Sequence, residues 1–136
     1  MHKIAILALI TVLAPQVATA HAVRHHSMPE AYWGTWALDA GPCKDADDSA
    51  IVLSANAYAG PAGKCAIEYV TETPGPHGAI YSARMQCSSP GPQSQKKTIA
   101  NLVIRSDNAS QISAGPTFDS LKTYHRCSSV GPGTKG

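Results

Sequence analysis

Charge is what this chain has least of. Only 15% of its 136 residues are Asp, Glu, Lys or Arg, where a soluble domain usually carries about 25%. With 11 Lys/Arg against 9 Asp/Glu the formal net charge is +2, too small to hold a polyanion, so nucleic acid is not expected as a partner. Aromatic residues are scarce as well, at 6% with a single Phe, so the fold must draw stability from something besides a large aromatic core. No CxxC or CxH spacing occurs, which argues against a zinc knuckle or a thioredoxin-type redox centre. There is no Gly-x-Ser-x-Gly, no Ser-x-x-Lys, no phosphate-binding glycine loop, no internal repeat and no heptad. The hydrophobic share is 43%, within the globular range, which excludes a disordered chain.

The N-terminus reads as an address. Lys3 gives the positive start, Ile4 to Leu13 the apolar stretch, and Pro15 precedes Ala18-Thr19-Ala20, a small-x-small cleavage site. Ala20-His21-Ala22 offers a second site two residues on. The apolar stretch is shorter than the roughly 18–20 residues that span a bilayer, and no cysteine near the cut invites a lipid anchor. A periplasmic or secreted protein follows, with no membrane association after cleavage. Removing residues 1–20 takes away one of the 11 Lys/Arg and leaves a nearly neutral mature chain. We expect a signal peptide at 1–20, a flexible leader at 21–30, one domain at 31–128 and a disordered tail at 129–136, in a monomer.

All four cysteines, Cys43, Cys65, Cys87 and Cys127, lie in the mature part. An even number in an oxidising compartment predicts two disulfides. Sequential pairing, Cys43–Cys65 and Cys87–Cys127, is the expectation, because each bond would tie neighbouring strands of a meander. Strands are expected at 32–39, 50–55, 65–71, 79–88, 97–105, 110–114 and 121–127. The clearest sets Ala79, Tyr81, Ala83, Met85 and Cys87 on one face and Ser82, Arg84 and Gln86 on the other, the period of a half-buried antiparallel strand. Gly60-Pro61-Ala62-Gly63, Thr73-Pro74-Gly75-Pro76 and Ser89-Pro90-Gly91-Pro92 separate them as turns. The fold class is all-β, a small antiparallel barrel or sandwich of about seven to eight strands.

Tyr32-Trp33-Gly34-Thr35-Trp36 puts a Gly-x-Trp at the start of the first strand, and Thr123-Tyr124-His125-Arg126-Cys127 puts an Arg in the last. This resembles the calycin and lipocalin-like barrels, in which a first-strand Trp stacks against a final-strand Arg and plugs one end. Within them it is similar to the small bacterial metalloprotease-inhibitor type, which also opens with Gly-x-Trp followed soon by a cysteine, as Cys43 follows here. The resemblance implies structural roles for Gly34, Trp36 and Arg126. It also implies that a free segment ahead of the first strand enters a protease cleft. That segment would be the leader, with His21, Arg24, His25, His26, Ser27 and Met28 as partner-binding residues. The chain departs from the type in having four cysteines.

The histidines supply the other chemistry. Cleavage after Ala20 leaves His21 at the N-terminus, where amine and imidazole together chelate copper. Cleavage after Ala22 leaves Val23-Arg24-His25, a square-planar Cu(II) or Ni(II) motif. His26 adds a ligand in either case, so His21, His25 and His26 are the candidate metal set, and Cu(II) the candidate cofactor. Asp45-Ala46-Asp47-Asp48 lacks the Gly and Glu of a calcium loop. No catalytic residue is assigned. A barrel this small fills most of its interior with side chains, so the expected function is an inhibitor-like binding module for an extracytoplasmic hydrolase such as a protease; the alternative is a carrier of a small molecule or copper at the barrel mouth or the N-terminal histidines. Protein isolated from its native host should lack residues 1–20 or 1–22 and weigh four hydrogens less than the reduced chain. An intact Met1, or thiols open to alkylation, would overturn this.

Overall fold

Alternation of period two turns most of this chain into strands that bury one face, and a sheet of such strands buries all its inner faces at once by closing on itself. The computed structural model describes residues 12–15, 21–38, 43, 49–88 and 96–127. Its strands are β1 (Val23–His25), β2 (Gly34–Ala37), β3 (Ile51–Leu53), β4 (Ala57–Gly60), β5 (Gly63–Thr73), β6 (Ile80–Ser88), β7 (Lys97–Asn108), β8 (Gln111–Gly115) and β9 (Lys122–Arg126). Strands β2 to β9 form an antiparallel meander in which each pairs with the next, and the β2–β9 pairing closes the ring. The result is a closed eight-stranded antiparallel barrel, which decides between the barrel and the sandwich.

Inside the ring, Met28, Trp36, Ile51, Leu53, Val70, Met85, Ile104 and Ile112 are each no more than 2% exposed. A β-bulge between Ile67 and Tyr69 shifts the alternation, so that Ile67 and Val70, an odd step apart, both face inward. Gly63 makes the β4–β5 turn with φ 101°, and a Cβ there would meet the Ser88 carbonyl oxygen at 2.8 Å.

The wall is uneven. Strands β5, β6 and β7 run for 11, 9 and 12 residues, whereas β2, β3 and β4 have 4, 3 and 4. Strand β4 therefore covers β5 only as far as Ala66, and backbone groups farther along would be left unpaired. Strand β1 takes that edge, with His25 opposite Val70 and Val23 opposite Glu72. Strand β8 reaches only to Val103 on β7. The Lys97–Leu102 side of β7 that faces away from β6 has no strand partner among the described residues.

These features correct several expectations. The leader at 21–30 is not free: it supplies β1, buries Met28 at 1% exposure and enters a 3₁₀ turn at Glu30–Tyr32. The Met28 amide donates to the Ala55 carbonyl at 2.8 Å, and Asn56 Nδ2 donates to the His26 carbonyl at 3.1 Å. The disulfides are Cys65–Cys87 and Cys43–Cys127 rather than the sequential pairs. Cys65 stands directly opposite Cys87 on β5 and β6, and ring closure brings Cys127 to the Thr35 carbonyl, within reach of the loop after β2. Closing loops of 22 and 84 residues, the bonds stabilise by roughly 3 and 4.5 kcal/mol on the chain-entropy estimate. Strand β4 lies where only a loop was expected, and Tyr32 and Trp33 precede the first barrel strand rather than begin it. Apart from Val12–Pro15, the signal peptide lies outside the described residues, as do Asp39, the 45–48 acidic loop and the 129–136 tail.

Trp36 is 1% exposed and Trp33 39%. Trp36→Ala should therefore cost about 3–5 kcal/mol of unfolding free energy and Trp33→Ala markedly less. Denaturant titration of both variants checks this, and equal losses would contradict the burial.

Candidate functional site

The barrel has two unlike ends. One receives the β3–β4, β5–β6 and β7–β8 turns together with the N-terminal segment; Trp36 and Arg126 cover the core there, beside a pocket of about 280 Å³ that Tyr32, Ser106, Asn108 and Ile112 also line. Gly34 opens β2 at φ 123°, and a Cβ there would lie 3.1 Å from Arg126 Nη1. Glycine thus serves both the backbone conformation and the approach of the cation. The Arg126 guanidinium carbon lies 4.2 Å from the Trp36 ring centroid, a cation–π stack. Arg126 Nη1 donates to the Trp33 carbonyl at 2.8 Å and Nη2 to the Ala31 carbonyl at 2.6 Å. Trp36 Nε1 donates to the Tyr32 carbonyl at 3.0 Å and Trp33 Nε1 to the Met28 carbonyl at 2.9 Å. Four otherwise orphaned carbonyls of the entering chain are satisfied this way.

Beside this stack lies a polar cluster. His25 Nε2 and Glu72 Oε1 are 3.0 Å apart, the His25 and Tyr81 rings are 6.3 Å apart, and Tyr32 meets Tyr81 edge-on at 5.3 Å. Burial, with Tyr81 and Glu72 adding to it, pushes the Tyr32 hydroxyl up to about 12. Burial also raises Tyr81, and its contact with Glu72 adds to the shift.

The sequence-derived partner and metal residues are thus split up. His21, Arg24 and His26 are exposed, Ser27 is half-buried, and Met28 is core. Arg24 lies over the Tyr69 ring at 4.0 Å. Among the described residues no group of three His, Cys, Asp or Glu could hold a metal ion. Of the candidate metal set, His25 has its imidazole against Glu72 and lies on a strand paired with β5. A copper chelate at Val23-Arg24-His25 would need the backbone amides wrapped around the ion instead of extended along β5. Compared with family models, with curated proteins and with solved structures, the chain matches none.

At the opposite end most of the β2–β3 and β6–β7 connections lies outside the described residues. A cavity of about 330 Å³ enters the barrel there, floored by Ile51, Tyr58, Met85, Leu102 and Tyr124, with Lys122 at its margin. Its lining also includes Asn101 of β7 and Pro116 and Ser120 of the β8–β9 connection. Burial raises the Tyr58 and Tyr124 hydroxyls above the ordinary tyrosine value, so both are neutral donors at pH 7. Sequence reading missed this site because Tyr58 sits on β4 inside an apparent loop. The available signal was the alternation of Lys122, Tyr124 and Arg126, three residues on one face of the last strand.

The Tyr32 shift has a definite consequence. A phenol whose folded value lies above its unfolded value near 10 contributes stability below pH 10 and loses it as pH climbs toward 12. Unfolding free energy should fall across pH 10–12, and Tyr32→Phe should flatten that fall. An unchanged slope in the variant, read by chemical denaturation, would assign the loss to other groups.

Proposed function

We propose that this protein is a secreted or periplasmic binding module, without catalysis, that seats a small apolar ligand in the mouth of its barrel. One observation carries the reading: a cavity of about 330 Å³ lined by Ile51, Tyr58, Met85, Leu102 and Tyr124 reaches the buried core at the end away from the Trp36–Arg126 stack. A volume of about 330 Å³ sits at the lower end of the range of small-molecule sites, and an apolar lining with a few polar groups is the usual composition of such sites. The signal-like N-terminus and two disulfides accord with an oxidising compartment.

The resemblance to metalloprotease inhibitors supports a second reading, in which the partner is an extracytoplasmic hydrolase. The exposure of residues 21–24 ahead of a buried Met28 favours it. Contact then falls to His21–Arg24, while β1 and Met28 hold that short segment rigid and lower the ordering cost of docking.

The neutral fluorophore N-phenyl-1-naphthylamine tests the first reading. Its fluorescence should rise saturably at one site, and Ala62→Trp, placed on an exposed turn residue lining the mouth, should abolish the rise without unfolding the barrel. Removal of residues up to Arg24 should leave it intact. An absence of saturable binding by the wild-type protein overturns the reading. Inhibition of a metalloprotease that is lost on removing residues up to Arg24 would put the second in its place.

A further inference from the structure

Two long strands outrun their neighbours, and the fold treats them differently. On β5, the stretch beyond Ala66 that β4 does not reach takes β1 as its partner. On β7, β8 stops opposite Val103, and Lys97 to Leu102 pair with β6 alone among the described residues. The 3₁₀ turn Phe118–Ser120 that follows β8 packs against β8. Pairing with β6 puts Thr98, Ala100 and Leu102 on the inner side, opposite Cys87, Met85 and Ala83. Lys97, Ile99 and Asn101 therefore point outward. All three are exposed, and Ile99 is 48% exposed.

We propose that two copies of this chain associate through this edge, β7 against β7, about a twofold axis at Ile99. Backbone N–H and C=O groups along a strand edge are a template for another strand, and the sequence here complements itself in one antiparallel register. With Ile99 opposite its counterpart, Thr98 faces Ala100 of the other copy and Lys97 faces Asn101. The two isoleucines then form an apolar cross-strand pair on the outer side, each lysine meets an amide oxygen, and no lysine stands opposite another. Moving the axis by one residue spoils this match. Centred on Ala100, the pairing sets Ile99 against Asn101 and calls on Val103, whose edge already serves β8. Centred on Thr98, it sets Lys97 against Ile99 and Lys96 against Ala100. A contact of the same patch with itself closes at two copies and does not propagate. The run Lys97–Asn101 is small beside a standard interface of about 1,600 Å², so the dimer assembles as concentration rises.

Sedimentation velocity of the full chain as purified, across a wide range of concentration, provides the test. A monomer–dimer equilibrium is expected. Asn101→Glu places a carboxylate opposite Lys97 at both symmetry-related positions and should tighten the dimer about tenfold, whereas Asn101→Lys sets like charges opposite and should weaken it by about as much. Adding Lys97→Glu to Asn101→Lys should restore the dimer. Both positions are exposed, so the far-UV spectrum of each variant should match that of the wild type. A chain that stays monomeric at every concentration overturns the proposal, and residues 89–95 or 128–136 of the same chain then become the candidates for the edge. A dimer that responds to neither Asn101 variant, or to both in the same direction, also overturns it, because the contact must then lie on another face. Assembly beyond two copies overturns the twofold register.

Discussion

Closure between β2 and β9 is the constraint on which the rest depends. It joins Trp36 to Arg126 across the length of the domain, and without it the meander would expose the inner faces of two edge strands. The guanidinium does three things at that seam. It covers the Trp36 ring, it occupies the space that the missing Gly34 side chain leaves, and it ties down the carbonyls of the chain entering the barrel. Contacts this distant in sequence are slow to find. The Cys43–Cys127 bond, beside the same seam, limits how far it opens once formed.

The all-β class and most strands were legible because their information is local. Tyr81, Ala83, Met85 and Cys87 declare β6 by alternation alone, and the proline–glycine clusters mark its neighbours' ends. What escaped was non-local. Val23-Arg24-His25 carries no pattern of its own, and it is a strand because β5 outruns β4 and needs a partner for Val70 to Glu72. Met28 in a polar leader was the residue that might have warned of a buried anchor. The cysteine pairing failed for the same reason. A sequential scheme treats the meander as open, whereas Cys127 finds Cys43 only once the ring is closed. At the mouth, Tyr58 was hidden in a four-residue strand too short to show a period.

The N-terminal segment consequently belongs to the wall. It pairs along β5 near the Trp36–Arg126 stack and places His25 beside Glu72 and Tyr81. The polar cluster there is satisfied internally. Toward the opposite end the cavity is lined mainly by apolar side chains and by the Tyr58 and Tyr124 rings.

Strand β9 carries both ends on one face. Lys122 stands at the cavity, Tyr124 is core, and Arg126 covers Trp36. Side chains alternate with a period of two, so the three positions are locked to one another. Loss of a single residue between Lys122 and Arg126 would swing one part of that face outward relative to the other. The stack and the mouth could not then both keep their cation, so the spacing within five residues fixes the polarity of the whole barrel.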